Sequence, residues 1–405
     1  MAIVVAALKE AEGEHRVSLV PSVVKRMVKQ GYQVLIEQGA GDAADFSDQS
    51  YTDAGAKVVS RDDAIAQANI VTVVNRPDDD TLGKLKKGQL LLGLLSLSID
   101  QDVAKQLAKS GVTALSFELL PRTISRAQSM DALSSQSSVA GYKAAVVAAD
   151  RFMRYFPMMI TAAGTATPAK VLVLGTGVAG LQAIGTAKRL GAIVSGYDVR
   201  PASRGEVESL GAKFLTSSVS AAGKGGYARQ LTKEEQQKQQ DELAGFIADS
   251  DIVITTARVP GKKPPLLVTE KSVKNAKAGS IFVDIAASEL GGNVAGSQPG
   301  KTVTTDNGAE IIGADNLASD LATSASEMYS KNVQAVLSPL VDKDGNLNLD
   351  VTDDVYSELV ATYQGKIISG RLRSQMGLPA LQKKDDKADA AKADDDKKSD
   401  ADQKK

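Results

Sequence analysis

The chain contains no cysteine, which removes thiol catalysis, disulfides and zinc–thiolate sites together. It has one histidine, His15, although histidine is the commonest general acid/base and metal ligand. Beside Arg16, that residue reads as a solvated loop group. An excess of one charge is missing too. Lys and Arg number 48 against 49 Asp and Glu, a net charge of −1, so no global field favours nucleic acid or an anionic membrane. Apolar runs long enough to cross a bilayer are absent. The best uncharged candidate, Val171–Ala187, is shorter than the ~20 residues required, and glycines interrupt it. The opening MAIVVAALKE lacks the cationic start and small-residue cleavage site of a secretory signal. A cytoplasmic protein is expected, with neither a metal centre nor nucleic acid as partner.

What is present is an ordinary globular composition, 43% hydrophobic and 24% charged over 405 residues, a length at which two cores are the default. Aliphatic and β-branched runs at Ile3–Leu8, Tyr32–Glu37, Ile70–Val74, Leu90–Leu95 and Val112–Phe117 read as strands. Helical patterns such as Ser22–Gln30 and Asp100–Ser110 separate them. A second series follows a long apolar helical segment, Leu133–Tyr155, with strands at Val171–Leu174, Ile193–Tyr197, Ile252–Thr256, Ile281–Ile285 and Thr302–Thr305. Such alternation indicates a parallel sheet covered by helices on both faces. The expected fold is therefore α/β, with two doubly wound, Rossmann-like domains joined by long crossing helices, the return helix being Ala322–Leu337. The expected boundaries are 1–132 plus 325–382 for one domain and 133–324 for the other.

Lys170–Leu174 runs into Gly175-Thr-Gly-Val-Ala-Gly180, which opens the helical run Leu181–Leu190. A bare GxGxxG is weak evidence, but between a strand and a helix it has mechanical meaning. Gly175 permits a tight turn, Gly177 lets a pyrophosphate approach the backbone, and Gly180 lets helix and strand pack closely. The N-terminus of that helix offers N–H groups and partial positive charge to phosphate. The next strand ends at Asp198, about where an acidic residue meets the adenosine ribose. A 2′-phosphate ~4 Å from that carboxylate would meet repulsion of order 4 kcal/mol per charge pair. NAD(H) is therefore expected over NADP(H), with Arg200, two residues on, as a partial offset.

Three further segments stand out. The stretch Pro121–Gln136 concentrates Arg122, Arg126, Gln128, Asp131 and Ser134 at a domain junction, either as a ligand-binding set or as a polar linker with a helix cap. Ser217–Glu235 is long for a βα connection and glycine-rich, which reads as a functional loop or as a surface insertion. Lys383–Lys405 is a Lys/Asp/Ala tail that cannot bury a core, so residues 383–405 are expected to be disordered.

The stretch PRTISRAQSMDALSSQSSVAGYKA closely resembles the signature of the NAD(H)-binding alpha component of proton-translocating NAD(P) transhydrogenases. KEAEGEHRVSLVP, VLIEQGAG, FPMMITAAGT, VLVLGTGVAGLQAI, VESLGAKF, GGYARQ and SPLVDKDG extend the resemblance over roughly Ile3–Gly370. Alanine dehydrogenases are more distantly similar. The resemblance implies that Arg122, Gln128, Asp131 and Ser134 hold the nicotinamide carboxamide and ribose. It places Gly175, Gly177, Val178 and Gly180 on the pyrophosphate, and Asp198 and Arg200 at the adenosine end. Gly226, Tyr227 and Gln239 match a mobile loop that closes over the nucleotide. Two departures stand in the sequence: Arg122 precedes Gln128 by one residue more than the family spacing, and Ala318 replaces a usual proline.

The family likeness further implies NADP(H) on a partner subunit, integral-membrane partners carrying the proton path, a homodimer, and attachment at the inner face of the cytoplasmic membrane. The Re/Si-specific class is preferred. Direct hydride transfer between two nicotinamides requires orientation and exclusion of water, with no general acid or base, and a chain with one histidine fits it. Alanine dehydrogenation is the alternative and needs a proton donor and cations for a carboxylate. The histidine those enzymes carry has no counterpart in Ser96–Asp100, and their lysine has none in Val73–Pro77. A nucleotide-sensing subunit without chemistry would keep the fingerprint and have no need of the polar cluster.

Overall fold

The computed structural model describes residues 2–221, 229, 231–258, 263–341 and 346–381. The strands in chain order are β1 (Val4–Ala7), β2 (Gln33–Glu37), β3 (Lys57–Val59), β4 (Ile70–Asn75), β5 (Leu90–Leu94) and β6 (Thr113–Ser116). Next come β7 (Met159–Thr161), β8 (Gly164–Ala166), β9 (Lys170–Leu174), β10 (Ile193–Tyr197), β11 (Lys213–Leu215) and β12 (Ile252–Thr255). The last are β13 (Ile281–Asp284), β14 (Thr302–Thr304), β15 (Glu310–Gly313), β16 (Val360–Tyr363) and β17 (Lys366–Ile367). The chain divides into two compact units, one of Met1–Leu133 with the chain from Ser326 on, the other Ser134–Ala325. Both divisions fall within helices, Ala132–Arg151 and Ala322–Leu337. The expected tail segment lies outside the described residues.

In the first unit the sheet order is β17-β16-β6-β5-β4-β1-β2-β3. Strands β1 to β6 pair in parallel, and β16 adds antiparallel to β6. Parallel strands covered on both faces should be largely apolar; the buried run Ile70–Val74 of β4 has one polar residue, Thr72, whose hydroxyl donates to the Ala6 carbonyl. Ser326 and Ser330 lie four residues apart, on one face of the returning helix. Their hydroxyls accept the backbone N–H groups of Val17 and Val20, at 2.9 and 3.0 Å. Tyr329 is fully buried and donates to the Val73 carbonyl at 2.8 Å. These bonds join the returning helix to the segment after β1 and to β4.

The second unit has the order β11-β10-β9-β12-β13-β15-β14. Thr302–Thr304 is a strand as expected, but it runs antiparallel at the sheet edge. The strand that continues the parallel order is β15, too mixed in polarity to stand out in the sequence. The outgoing helix stops at Arg151 rather than Tyr155, and Phe152 and Phe156 then turn into the core beneath β9. Strands β7 and β8 form a separate two-stranded hairpin. Among the described residues no helix is long and apolar enough to cross a membrane.

The first unit reverses its strand order between β1 and β4, and Glu10 sits at that point. Its carboxylate accepts the N–H groups of Val74 and Asn75, at 2.6 and 3.1 Å. Burial pushes its pKa up to about 7 against the pull of those two N–H groups, and Glu14 adds to the rise. A carboxyl raised in the folded state favours the protonated native form. Its stability is then complete below about pH 4.5 and is lost as pH climbs towards 7. Thermal unfolding of the natural chain and Glu10→Gln at pH 5 and pH 8 should show the variant gaining relative stability at the higher pH. An unchanged difference between the two proteins would contradict this assignment.

Candidate functional site

Strand β9 enters the glycine turn between β10 and β12, where the order of the second sheet reverses. Open α/β sheets bind ligands at such crevices. Gly175 has φ +95°, the left-handed region that glycine adopts without steric cost. A Cβ on Gly180 would lie 1.9 Å from the Gly175 carbonyl oxygen. The third glycine thus lets the helix close directly on the carbonyl just beyond β9. Thr256 Oγ1 donates to that same oxygen at 2.9 Å, which locks the exit of β12 to the turn.

Gly177 is different, because nothing lies within 4 Å of where its Cβ would be. The helix Val178–Arg189 starts from it without a side-chain cap, so its first N–H groups and dipole face an open position suited to an anion. Behind the turn, Gly141 approaches so closely that a Cβ there would sit 2.0 Å from the Ala179 carbonyl oxygen. The second unit therefore presents a cradle that fits a pyrophosphate.

Asp198 stands just beyond β10, largely buried, with both carboxylate oxygens engaged. One accepts the Thr176 N–H at 2.9 Å and the other the Arg200 N–H at 2.9 Å. Arg200 forks onto both, Nε at 2.8 Å and a terminal nitrogen at 2.7 Å. Burial raises the carboxyl, but the bonds from Arg200 and Thr176 outweigh it and hold Asp198 below the usual range. One consequence escaped the sequence: Asp198 organises the glycine turn through the Thr176 N–H. The offset by Arg200 that the sequence allowed for is a two-point ion pair. The repulsion estimated for a bare carboxylate therefore overstates the barrier to a 2′-phosphate.

Gln239 requires a correction. It lies on the helix Lys233–Asp249 rather than in a loop, buried in a stripe with Leu243 and Ile247. Its Nε2 donates to Tyr197 Oη at 3.1 Å. The spacing 239, 243, 247 is one helical face, and Thr232 with Glu235 forms a reciprocal capping box at the helix start. Gly226 and Tyr227 lie outside the described residues. Asn293, which the sequence did not flag, is fully buried and ties both sides of the β12 exit. It accepts from Ala257 N–H at 2.9 Å and donates to the carbonyls of Ala257 and Pro265, at 2.9 and 2.7 Å.

In the first unit, Ser125–Met130 forms a 3-10 turn whose Ala127 and Met130 are buried, which leaves Gln128 exposed between them. Arg122 Nε pairs with Asp131 at 2.9 Å, so the structure brings these two together. Arg126 pairs instead with Asp353 and Asp354. Ser134, with which the second unit begins, is half-buried near the start of the Ala132–Arg151 helix. Near the N-terminus, buried Arg16 is bound by Glu14 at 2.7 Å, and Asn75 Nδ2 donates to the same carboxylate at 2.8 Å. Among the described residues, no group of three His, Asp or Glu is placed to hold a metal ion.

The glycines make a separable prediction. Gly180→Ala should lower the melting temperature, since the methyl group collides with backbone, and should abolish nucleotide binding. Gly177→Ala should leave the melting temperature within about 2 °C and weaken NADH by roughly tenfold or more, through the approach it blocks. Titration and calorimetry on both variants check this. Equal effects on stability would refute the division of roles.

The sequence matches two family models, Alanine dehydrogenase/PNT, N-terminal domain, over residues 6–140, and Alanine dehydrogenase/PNT, C-terminal domain, over 144–370. It is 45% identical over 374 residues to an NAD(P) transhydrogenase alpha subunit of Rhodospirillum rubrum, covering 90% of this chain and 97% of that one. The alanine dehydrogenase of Mycolicibacterium smegmatis is 28% identical over 380 residues, covering 90% and 94%. The crystal structure of transhydrogenase from Sinorhizobium meliloti superposes with a TM-score of 0.81 at 40% identity, covering 90% of this chain and all of that one.

Proposed function

The chain belongs to the alanine dehydrogenase/PNT family, and from that premise we propose that it is the NAD(H)-binding subunit of an NAD(P) transhydrogenase of the Re/Si-specific, proton-translocating class. NADH held on this chain supplies a hydride to NADP+ held on a partner subunit, and integral-membrane partners couple the transfer to proton movement. The helix N-terminus at Val178 and the clear space over Gly177 receive the pyrophosphate. Asp198, held ionised by Arg200, accepts from the adenosine ribose, which favours NAD(H) through hydrogen bonding more than through repulsion. Arg122, Gln128, Asp131 and Ser134 orient the carboxamide and ribose of the nicotinamide, and Gly226 and Tyr227 serve closure over it.

Within the family, one observation carries the choice of reaction. An amino-acid dehydrogenase needs cationic groups for its substrate's carboxylate. Here Arg16, which the resemblance matches to a substrate cation of the alanine dehydrogenases, is buried against Glu14, and Asn75 donates to the same carboxylate. Hydride exchange between two nicotinamides makes no such demand.

The remaining parts of the proposal concern assembly. Met158, Met159 and Ile160 are exposed on or beside the β7–β8 hairpin, Ile160 at 78%. A second copy of the chain would cover these apolar side chains, which supports a homodimer. The membrane subunits would carry the proton path and hold this chain at the cytoplasmic face.

Mixed with an NADP(H)-binding partner domain of the same enzyme class, the chain should transfer hydride from NADH to NADP+ in a single turnover. Alone, it should turn over neither NADP+ nor pyruvate with ammonia. Pyruvate-dependent oxidation of NADH by the isolated chain would replace this reading with amino-acid dehydrogenation.

A further inference from the structure

The turn that carries Gln128 holds itself together poorly. A 3-10 helix has weaker hydrogen-bond geometry than an α-helix, and Ser125, Arg126, Gln128 and Ser129 of this one are exposed. Two buried side chains, Ala127 and Met130, seat it on the first unit. Asn332 donates to the Ser129 carbonyl at 2.8 Å, which fixes its far end. Its near end is fixed from a distant stretch of the chain. The Arg126 guanidinium reaches both oxygens of Asp353 at 2.5 Å and also contacts the Asp354 carboxylate.

The acidic side of this contact is rigid. Asp353 accepts the N–H groups of Val355 and Tyr356, at 2.9 and 3.1 Å, and so shapes the start of the helix Tyr356–Leu359. Val355, Tyr356 and Leu359 are buried. Tyr356 Oη donates to the Val336 carbonyl at 2.6 Å. Thr352 is bound to Asp350 through both its N–H and its hydroxyl, at 2.8 and 2.7 Å. The two carboxylates thus stand on a turn anchored in the core, and Arg126 is the exposed strap between that turn and the Gln128 turn.

We propose that Asp353 and Asp354 are positioning residues of the hydride-transfer site: through Arg126 they fix the Ser125–Met130 turn and with it the orientation of Gln128 and Asp131. The inference rests on the reading of Gln128 and Asp131 as nicotinamide contacts. Ion pairs this exposed contribute little to global stability, so the strap can be cut without unfolding the chain. Reactivity is far more sensitive, because a misplacement of ~1 Å at the reacting groups costs on the order of 100-fold in rate. A large loss of rate with little loss of stability or affinity is the signature of positioning.

The test is the double variant Asp353→Asn, Asp354→Asn in the full chain, combined with the NADP(H)-binding partner domain. Asparagine still accepts the N–H groups of Val355 and Tyr356, so the turn at this position survives while the charge that holds Arg126 is removed. Single-turnover hydride transfer should fall by about tenfold or more. The NADH dissociation constant should change by less than about threefold, and the melting temperature by less than about 2 °C. Amide hydrogen exchange over 125–130 should quicken, and Arg126→Gln should reproduce the rate loss without adding to it in the triple variant. A normal rate in the double variant, or a loss that follows falling affinity or stability, would overturn the positioning role. Should the natural chain itself fail to transfer hydride, the functional reading falls. Hydrogen exchange then still decides the strap, and unchanged exchange over 125–130 overturns it.

Discussion

The contact on which the nucleotide-binding unit depends is between one carbonyl oxygen and one hydrogen. Gly180 approaches the Gly175 carbonyl so closely that a Cβ would lie 1.9 Å from it, and Thr256 donates to the same oxygen. That oxygen draws together the end of β9, the start of the Val178–Arg189 helix and the exit of β12. Asp198 fastens the other side of the turn through the Thr176 N–H. With backbone and short side chains holding the shape, Gly177 is left facing open space at the end of a helix without a side-chain cap. The anion site is a by-product of how tightly the turn closes.

Much of this architecture was legible in the sequence, for a physical reason. Parallel strands buried on both faces are largely apolar, so β4, β5, β9, β12 and β13 stood out as runs. Short edge or half-exposed strands such as β3, β11 and β15 carry no such signal. The β7–β8 hairpin packs no strand beyond its own partner and left no periodic trace. Gln239 shows the limit of the resemblance: a residue it matched to a mobile loop lies on a capped helix with one buried stripe. The site's residue types were visible at once, but their partners were not. Arg126 meets carboxylates 227 and 228 positions away, a separation that no local pattern reports. Asp198 was recognised, yet its engagement with Arg200 changes the argument for cofactor choice from charge repulsion to hydrogen bonding.

The chemistry proposed for the chain is economical in the same sense. Hydride exchange between two nicotinamides consumes no proton at the reacting carbons, so the protein's task is to bind, to orient and to exclude water. The cation that an amino-acid substrate would need is committed to Glu14. Side chains with ordinary chemistry, held accurately, suffice for the proposed reaction, and the investment in structure goes into the turns that hold them.

The most direct test of this account is isotopic. With NADH deuterated at C4 on the transferred face, in ordinary water, the natural chain and its NADP(H)-binding partner should deliver the label intact to C4 of NADPH. The converse experiment, unlabelled NADH in heavy water, should place no deuterium there. Solvent-derived hydrogen at that carbon would contradict direct transfer and require an acid/base relay that the account does not contain.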